Sequence, residues 1–210
     1  DGFQEADVQG VSLPVTKHNY LITNIKDLAP AIKEAFYIAG TGRPGPVLID
    51  ITKDVLQATT EYEYPDKVFL PGYKPNLNAP DPTSVTRAAK LLNEAKKPLI
   101  VSGQGVTIAR AEKELRELAE KANIPVATSL LGIGTFPATH PLAIAWGGMH
   151  GEAYTNYAMQ DCDVMFAIGA RLDDRLTGAF NLFAPNAKII HVDVDPAEMG
   201  KNITIDTPVI

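Results

Sequence analysis

The sequence predicts an α/β protein: a parallel sheet flanked by helices, preceded by a partial α/β domain. Three observations carry this. Short apolar runs that end in glycine or a polar residue alternate with longer amphipathic stretches, the pattern of strands joined by helical crossovers. The runs are rich in Val, Ile, Leu and Ala without polar alternation, as strands covered on both faces are. A polar, proline-rich stretch, "TTEYEYPDKVFLPGYKPNLNAPDP" (59–82), divides the chain and reads as a linker.

Taken in order, residues 26–40, "KDLAPAIKEAFYIAG", place Leu28, Ile32, Ala35, Phe36 and Ala39 on one helical face, closed by Gly40. "GRPG" is a turn and "PVLIDI" (46–51) a buried strand. Beyond the linker, Asp81-Pro82-Thr83 opens a helix through "SVTRAAKLLNEAKK". Then come the strand "PLIVSG" (98–103), the helix "RAEKELRELAEKAN" (110–123) and the strand "PVATS" (125–129). A helix over "EAYTNYAMQDC" and the strands "DVMFAIG" (163–169) and "KIIHVDV" (188–194) complete the alternation.

The 210 residues are enough to bury a substantial core. A hydrophobic content of 45 % with 21 % charged residues is that of an ordinary globular protein. A net charge of −6 argues against nucleic acid as a partner, because phosphate neutralisation needs clustered Lys and Arg. Cys162 is the single cysteine, so no internal disulfide forms, and it reads as a buried core residue. No apolar run approaches the roughly 18–20 residues of a membrane span, and no targeting segment opens the chain. The chain lacks an initiator Met and starts mid-phrase, which reads as a piece of a larger protein.

In a parallel sheet, ligands bind outside the carboxyl ends of the strands. The segments there are "SGQGV" (102–106), "TSLLGIG" (128–134), "WGGMHGEAY" (146–154), "ARLDDRLTG" (170–178) and "DVDPAEM" (193–199). Their glycines allow close backbone approach to a phosphate, or equally serve as tight strand-to-helix turns. Asp193 could accept from a ribose hydroxyl or cap the helix that starts at Pro196. His150 is a catalytic residue type with no nucleophile motif beside it, and His18, His140, His150 and His191 lack metal-ligand spacing such as H-E-x-x-H, so a zinc site is rejected. In "IGARLDDRLTG", Arg171, Asp173, Asp174 and Arg175 are either local ion pairs on a solvated turn or an anion site whose guanidinium forks are held by the carboxylates.

Together the motifs resemble one family, the large catalytic subunit of acetolactate synthase (acetohydroxyacid synthase), a thiamine diphosphate enzyme. The residues that carry the resemblance are "FQEADVQGVSLPVTKHN" (3–19), "GRPGPVLIDITKDV" (42–55), "SGQGV", "TSLLGIGTFP" (128–137), "GGMHG" (147–151), "GARLDDRLTG" and "HVDVDPAE" (191–198), in family order from end to end. The resemblance implies that residues 1–58 are the end of the pyrimidine-binding domain, 59–82 a linker, and 83–210 the Rossmann-like central domain, which in biosynthetic members holds FAD in a structural role. It implies FAD contacts at Arg43, Gly103, Gln104, Gly105, Thr128, Ser129, Leu130, Gly148, Met149, His150, Gly151, Gly169, Ala170, Arg171, Asp173, Asp193 and Val194. Phe3, Gln4, Lys53, Met149 and Arg175 match positions lining the substrate channel. Arg175 would recognise the carboxylate of the second 2-oxo acid, with Asp174 orienting it.

The same resemblance implies the condensation of two pyruvates to 2-acetolactate, or of pyruvate with 2-oxobutyrate, in branched-chain amino acid biosynthesis. It implies a homodimer or homotetramer with a possible small regulatory subunit, in the cytoplasm of a bacterium or an organelle of a eukaryote. The family's catalytic Glu would lie upstream, and its diphosphate and Mg2+ site downstream, so these residues alone are expected to be inactive and to hold FAD weakly or not at all. Neither a catalytic nor a metal-binding residue is expected within the chain. Alternatives are a sister enzyme on the same scaffold (glyoxylate carboligase, pyruvate oxidase or catabolic acetolactate synthase) and a non-catalytic nucleotide-binding module.

Overall fold

The computed structural model describes residues 2–3, 5–75 and 79–210. The chain forms two compact units, Asp1–Leu77 and Asn78–Ile210.

In the first unit, α1 (Val8–Ser12) leads to β1 (His18–Ile22), α2 (Ile25–Gly40), β2 (Val47–Ile51) and α3 (Lys53–Gln57). β1 and β2 pair in parallel across the α2 crossover. Asn24 caps α2 by accepting from the Lys26 N–H. Ala31, Ala35 and Ile38 form the buried face of α2, and Phe36, expected to face inward, is exposed. Gly40 was expected to close the helix, but it is the last helical residue. The stop comes from Thr41, whose N–H and hydroxyl both bond the Tyr37 carbonyl, and the left-handed residue is Gly42 at φ 60°. Lys17 Nζ donates to the Ile38 carbonyl at 2.6 Å and to the Tyr73 hydroxyl at 2.8 Å, neutralising the negative end of α2. Residues 58–75 contain no helix or strand, yet are tied down by Tyr73 on Lys17 and by Lys33 Nζ on the Asp66 carbonyl.

The second unit begins with α4 (Pro82–Glu94). Asp81 caps it through both carboxylate oxygens, which accept from Thr83 and Ser84 N–H. The helix stops at Glu94 instead of continuing to Lys97, because the Lys96 and Lys97 N–H groups bond the Asp163 carboxylate at 2.7 and 2.9 Å. β3 (Pro98–Ser102), α5 (Gln104–Ile108), α6 (Glu112–Ala122), β4 (Val126–Thr128) and β5 (Ala143–Trp146) follow. α6 starts two residues later than expected because Arg110 turns left-handed at φ 54°, and Asn123 ends it with φ 52°. The rest comprises α7 (Ala153–Asp161), β6 (Val164–Ile168), α8 (Asp174–Thr177), β7 (Lys188–Val192) and β8 (Thr207–Val209).

The six strands form one parallel sheet in the order β5-β4-β3-β6-β7-β8. The chain runs outward from β3 in one direction, then returns to the other side of β3 and runs outward again, the doubly wound order of nucleotide-binding folds. Alternate strand residues fill two cores. Leu99, Val101, Met165, Ala167 and Ile189 pack on one face with Met159 and Cys162 at the end of α7. Ile100, Val126, Phe166 and Ile190 pack on the other with Ala88 of α4 and Leu115 and Ala119 of α6. Burial is the main cause that pushes the Cys162 thiol up to about 12, so it stays an inert thiol. Among the described residues no helix is long and apolar enough to cross a membrane.

Candidate functional site

The winding reverses between β3 and β6, and the loops leaving these strands meet at their carboxyl ends. Gly103 N–H bonds the Ile168 carbonyl at 2.9 Å, and Gly105 N–H bonds the Gly169 carbonyl at 2.9 Å. These glycines are explained by contact with one another. A Cβ on Gly103 would sit 2.5 Å from Ala170 Cα, and one on Gly105 would sit 2.6 Å from Gly169 Cα. Gly169 is held at φ 59° with Gly105 Cα 2.7 Å from its would-be Cβ. Their missing side chains therefore let two loops interlock, and the space is filled by backbone.

The β4 loop is knitted to the same point. Ser129 N–H bonds the Ser102 carbonyl, the buried Ser102 and Thr135 hydroxyls share a hydrogen bond of 2.7 Å, and Thr135 donates to the Gly132 carbonyl. After β5, Asn156 clamps Gly148 from both sides, accepting from its N–H at 2.8 Å and donating to its carbonyl at 3.0 Å. Met149 N–H bonds the Arg175 carbonyl, and Arg175 Nη1 lies 3.5 Å from Met149 Sδ. Met149 and Asp174 both line a cleft of about 280 Å³ with Asn156, Gln160, Thr177 and Phe183.

Within "ARLDDRLTG", Asp173 is the N-cap of α8, accepting from the Leu176 N–H, and its other oxygen pairs with Arg171 at 3.0 Å. This ion pair is half exposed and contributes at most about 1 kcal/mol. Asp174 was expected to orient Arg175, yet among the described residues no ion pair joins them. The α8 turn carries the Arg175 guanidinium to the Met149 sulfur instead. Asp195, not Asp193, caps Pro196–Glu198. Asp193 Oδ1 accepts from the Asp195 N–H and so supports the capping residue.

Among the residues expected to touch a cofactor, Gln104, Leu130, Met149, His150, Arg171 and Val194 are exposed at this edge, while Ser129, Gly151 and Asp193 are half buried. Gly103, Thr128, Gly148 and Ala170 are buried. Phe3, Arg43 and Lys53 are exposed residues of the first unit, and Gln4 lies outside the described residues. Sequence reasoning missed Asn156, His191 and Asn202. The Asn202 amide donates to the Leu172 carbonyl, and the buried His191 bonds the Ala170 carbonyl. A histidine inside the apolar run "KIIHV" is the signal that could have found the second.

Among the described residues no group of three or more His, Cys, Asp or Glu could hold a metal ion. What the edge offers is two guanidinium groups, Arg171 and Arg175, the half-buried carboxylates of Asp173 and Asp193, the exposed amide of Gln104 and exposed apolar side chains beside tightly built loops.

Residues 85–210 match the family described as the thiamine pyrophosphate enzyme, central domain. The whole chain is 50 % identical over 210 residues to a Corynebacterium glutamicum protein named acetolactate synthase large subunit, covering 33 % of its length. It is 49 % identical over 213 residues to a probable acetolactate synthase large subunit of Methanocaldococcus jannaschii, covering 36 % of that protein. An acetolactate synthase of Mycobacterium bovis is 48 % identical over 210 residues, 34 % of its length. The chain thus spans about a third of the curated relatives it matches.

Proposed function

We propose a function from one premise: the chain belongs to the thiamine pyrophosphate enzymes, through their central domain, and is a homologue of acetolactate synthase large subunits. The chain is part of such a subunit. The whole enzyme joins two pyruvates into 2-acetolactate, or pyruvate and 2-oxobutyrate into the homologous acid, on the route to branched-chain amino acids. Residues 1–58 end its pyrimidine-binding domain, 59–82 link the two, and 83–210 are the central domain. The observation that carries the reading is the 50 % identity sustained over the entire chain.

The residues of the β3–β6 edge fit FAD, which would act here as a structural group. Arg171 supplies a cation for the diphosphate, the free oxygen of Asp193 accepts from a ribose hydroxyl, and Leu130 and Met149 offer apolar surface to the rings. Because the glycines are filled by one another, the loops present fixed peptide groups and exposed side chains to the cofactor rather than an empty glycine cradle. Among the described residues no acidic or histidine cluster would hold Mg2+, and in this reading the whole enzyme holds Mg2+ and thiamine diphosphate elsewhere. The isolated chain is inactive and holds FAD weakly or not at all. The name "large subunit" borne by its relatives supports a small regulatory partner, and in this reading the whole enzyme works as a homodimer or homotetramer.

The test is made on the full-length protein with thiamine diphosphate, Mg2+, FAD and pyruvate. Formation of 2-acetolactate is expected. Acetate or acetyl phosphate formed with oxygen consumption would overturn the assignment in favour of an oxidase. Arg175→Ala should raise KM for the second 2-oxo acid about 10- to 100-fold, the loss of a charge-assisted bond, while leaving bound flavin unchanged. Arg171→Ala should do the reverse. If Arg175→Ala strips the flavin and spares acceptor preference, the division of labour between the two arginines is wrong.

A further inference from the structure

We infer that His191 is a positioning residue for the β6 loop: it fixes the peptide that carries Arg171 into the edge. His191 lies on β7 and is 1 % exposed. Alternation along the strand puts it on the face of Ile189, with the core that contains Ala170 and Leu172. Its Nε2 is 2.9 Å from the Ala170 carbonyl oxygen, so the proton sits on Nε2 and Nδ1 is left as an acceptor. Among the described residues that buried Nδ1 has no hydrogen-bond partner.

The orphan nitrogen decides how to read the residue. Burying an unsatisfied acceptor costs about 1–3 kcal/mol, which Leu or Met would not incur in the same apolar setting. A histidine is worth that cost for the bond that it donates. That bond acts at the one peptide where the chain leaves β6, between Gly169, locked against Gly105, and Arg171. The peptide unit is planar and trans, so drawing the Ala170 carbonyl toward β7 turns the Arg171 N–H to the opposite side and sets the direction in which the side chain departs. A second tie, from the Gly169 N–H to the Val192 carbonyl at 2.8 Å, holds the Ile168–Gly169 peptide to the same strand. Gly169–Arg171 is therefore gripped between β7 and the first turn of α5, with His191 as its only side-chain tie to β7 among the described residues.

The consequence for cofactor binding rests on the FAD reading above; the consequence for loop order does not. Three variants of the full-length protein separate donor from volume. His191→Gln carries an amide nitrogen to about the place of Nε2, His191→Asn is too short to reach, and His191→Leu fills the space without a donor. Two readouts apply, hydrogen–deuterium exchange of the peptide covering 169–178 and the affinity for FAD. A lost bond of ordinary strength should raise exchange there about 3- to 10-fold in the Leu and Asn variants, with β3 and α6 unchanged. FAD affinity should fall by a similar factor, and Gln should restore both. Wild-type exchange at 169–178 in the Leu variant would overturn the proposal, as would faster exchange across the whole second unit in all three variants, Gln included. If the wild type binds no FAD, the flavin reading falls, and the exchange data still decide the role of His191.

Discussion

The two units use the same βαβ vocabulary with different degrees of closure. In the second, six strands are covered on both faces, and Ile100, Val101, Met165 and Ile190 are inaccessible to solvent. In the first, two strands, the crossover helix and the short α3 share a core of Ile22, Ala31 and Val55, while Val11, Leu13, Val15 and Phe36 stay largely exposed. A two-stranded sheet is marginal by itself, and contiguous exposed apolar side chains are costly. The difference teaches that the second unit has the makings of a self-sufficient fold, whereas the first has the local geometry of a fold without its burial.

The contrast can be broken most sharply at glycines. Gly169→Ala adds a methyl group 2.7 Å from the Gly105 backbone at a left-handed φ, and should destabilise the second unit by about 3 kcal/mol. Urea unfolding followed by the single tryptophan, Trp146 on β5, reports on that unit directly. A loss under about 1 kcal/mol would mean that the loops are not interlocked as described. Gly40→Ala in the first unit meets no atom within 4 Å at a helical position. It should stabilise by roughly 0.5–1 kcal/mol, seen as slower amide exchange in α2.

The smallest effect expected is at Asp163. Burial pushes its carboxyl up, but backbone N–H donors led by Lys96 and Lys97 outweigh this and hold it below the usual carboxylate range. A lowered folded value means that the stabilisation is present above the unfolded value of about 3.9 and is lost as pH falls through the folded one. Asp163→Asn should therefore flatten the acid limb of the second unit's stability while mildly weakening it at neutral pH. An unchanged acid limb would show that the carboxylate does not anchor the start of β3.

The central strands were legible because double-sided burial writes itself as unbroken apolar runs, and each ends one or two residues before the expected boundary, where glycine or a polar residue leaves the ladder. "HNYLI", "AIAW" and "TPV" carry no such signal, although each is a strand. β1 mixes polar and apolar residues, β5 is short and bends at Ala145 with φ 62°, and β8 contains Pro208, which only a sheet edge accommodates. At the site, the Arg171–Asp173 pairing is visible in local spacing. The Asn156 clamp and the His191 bond are not, because each joins residues that only the fold brings together. Phe36 was placed inward because periodicity alone cannot tell a face that is buried in this unit from one that is merely apolar.

The joint between Gly103-Gln104-Gly105 and Gly169-Ala170 behaves like a dovetail, cut to fit on both sides. Neither loop can gain a side chain, a residue or a new path without the other yielding in step. Grafting one loop from a relative with a different cofactor habit should fail where grafting the pair succeeds. The geometry of this edge is thus inherited as a matched set, and Arg171, Gln104 and Leu130, which project beyond the joint, are the side chains that can change without unseating it.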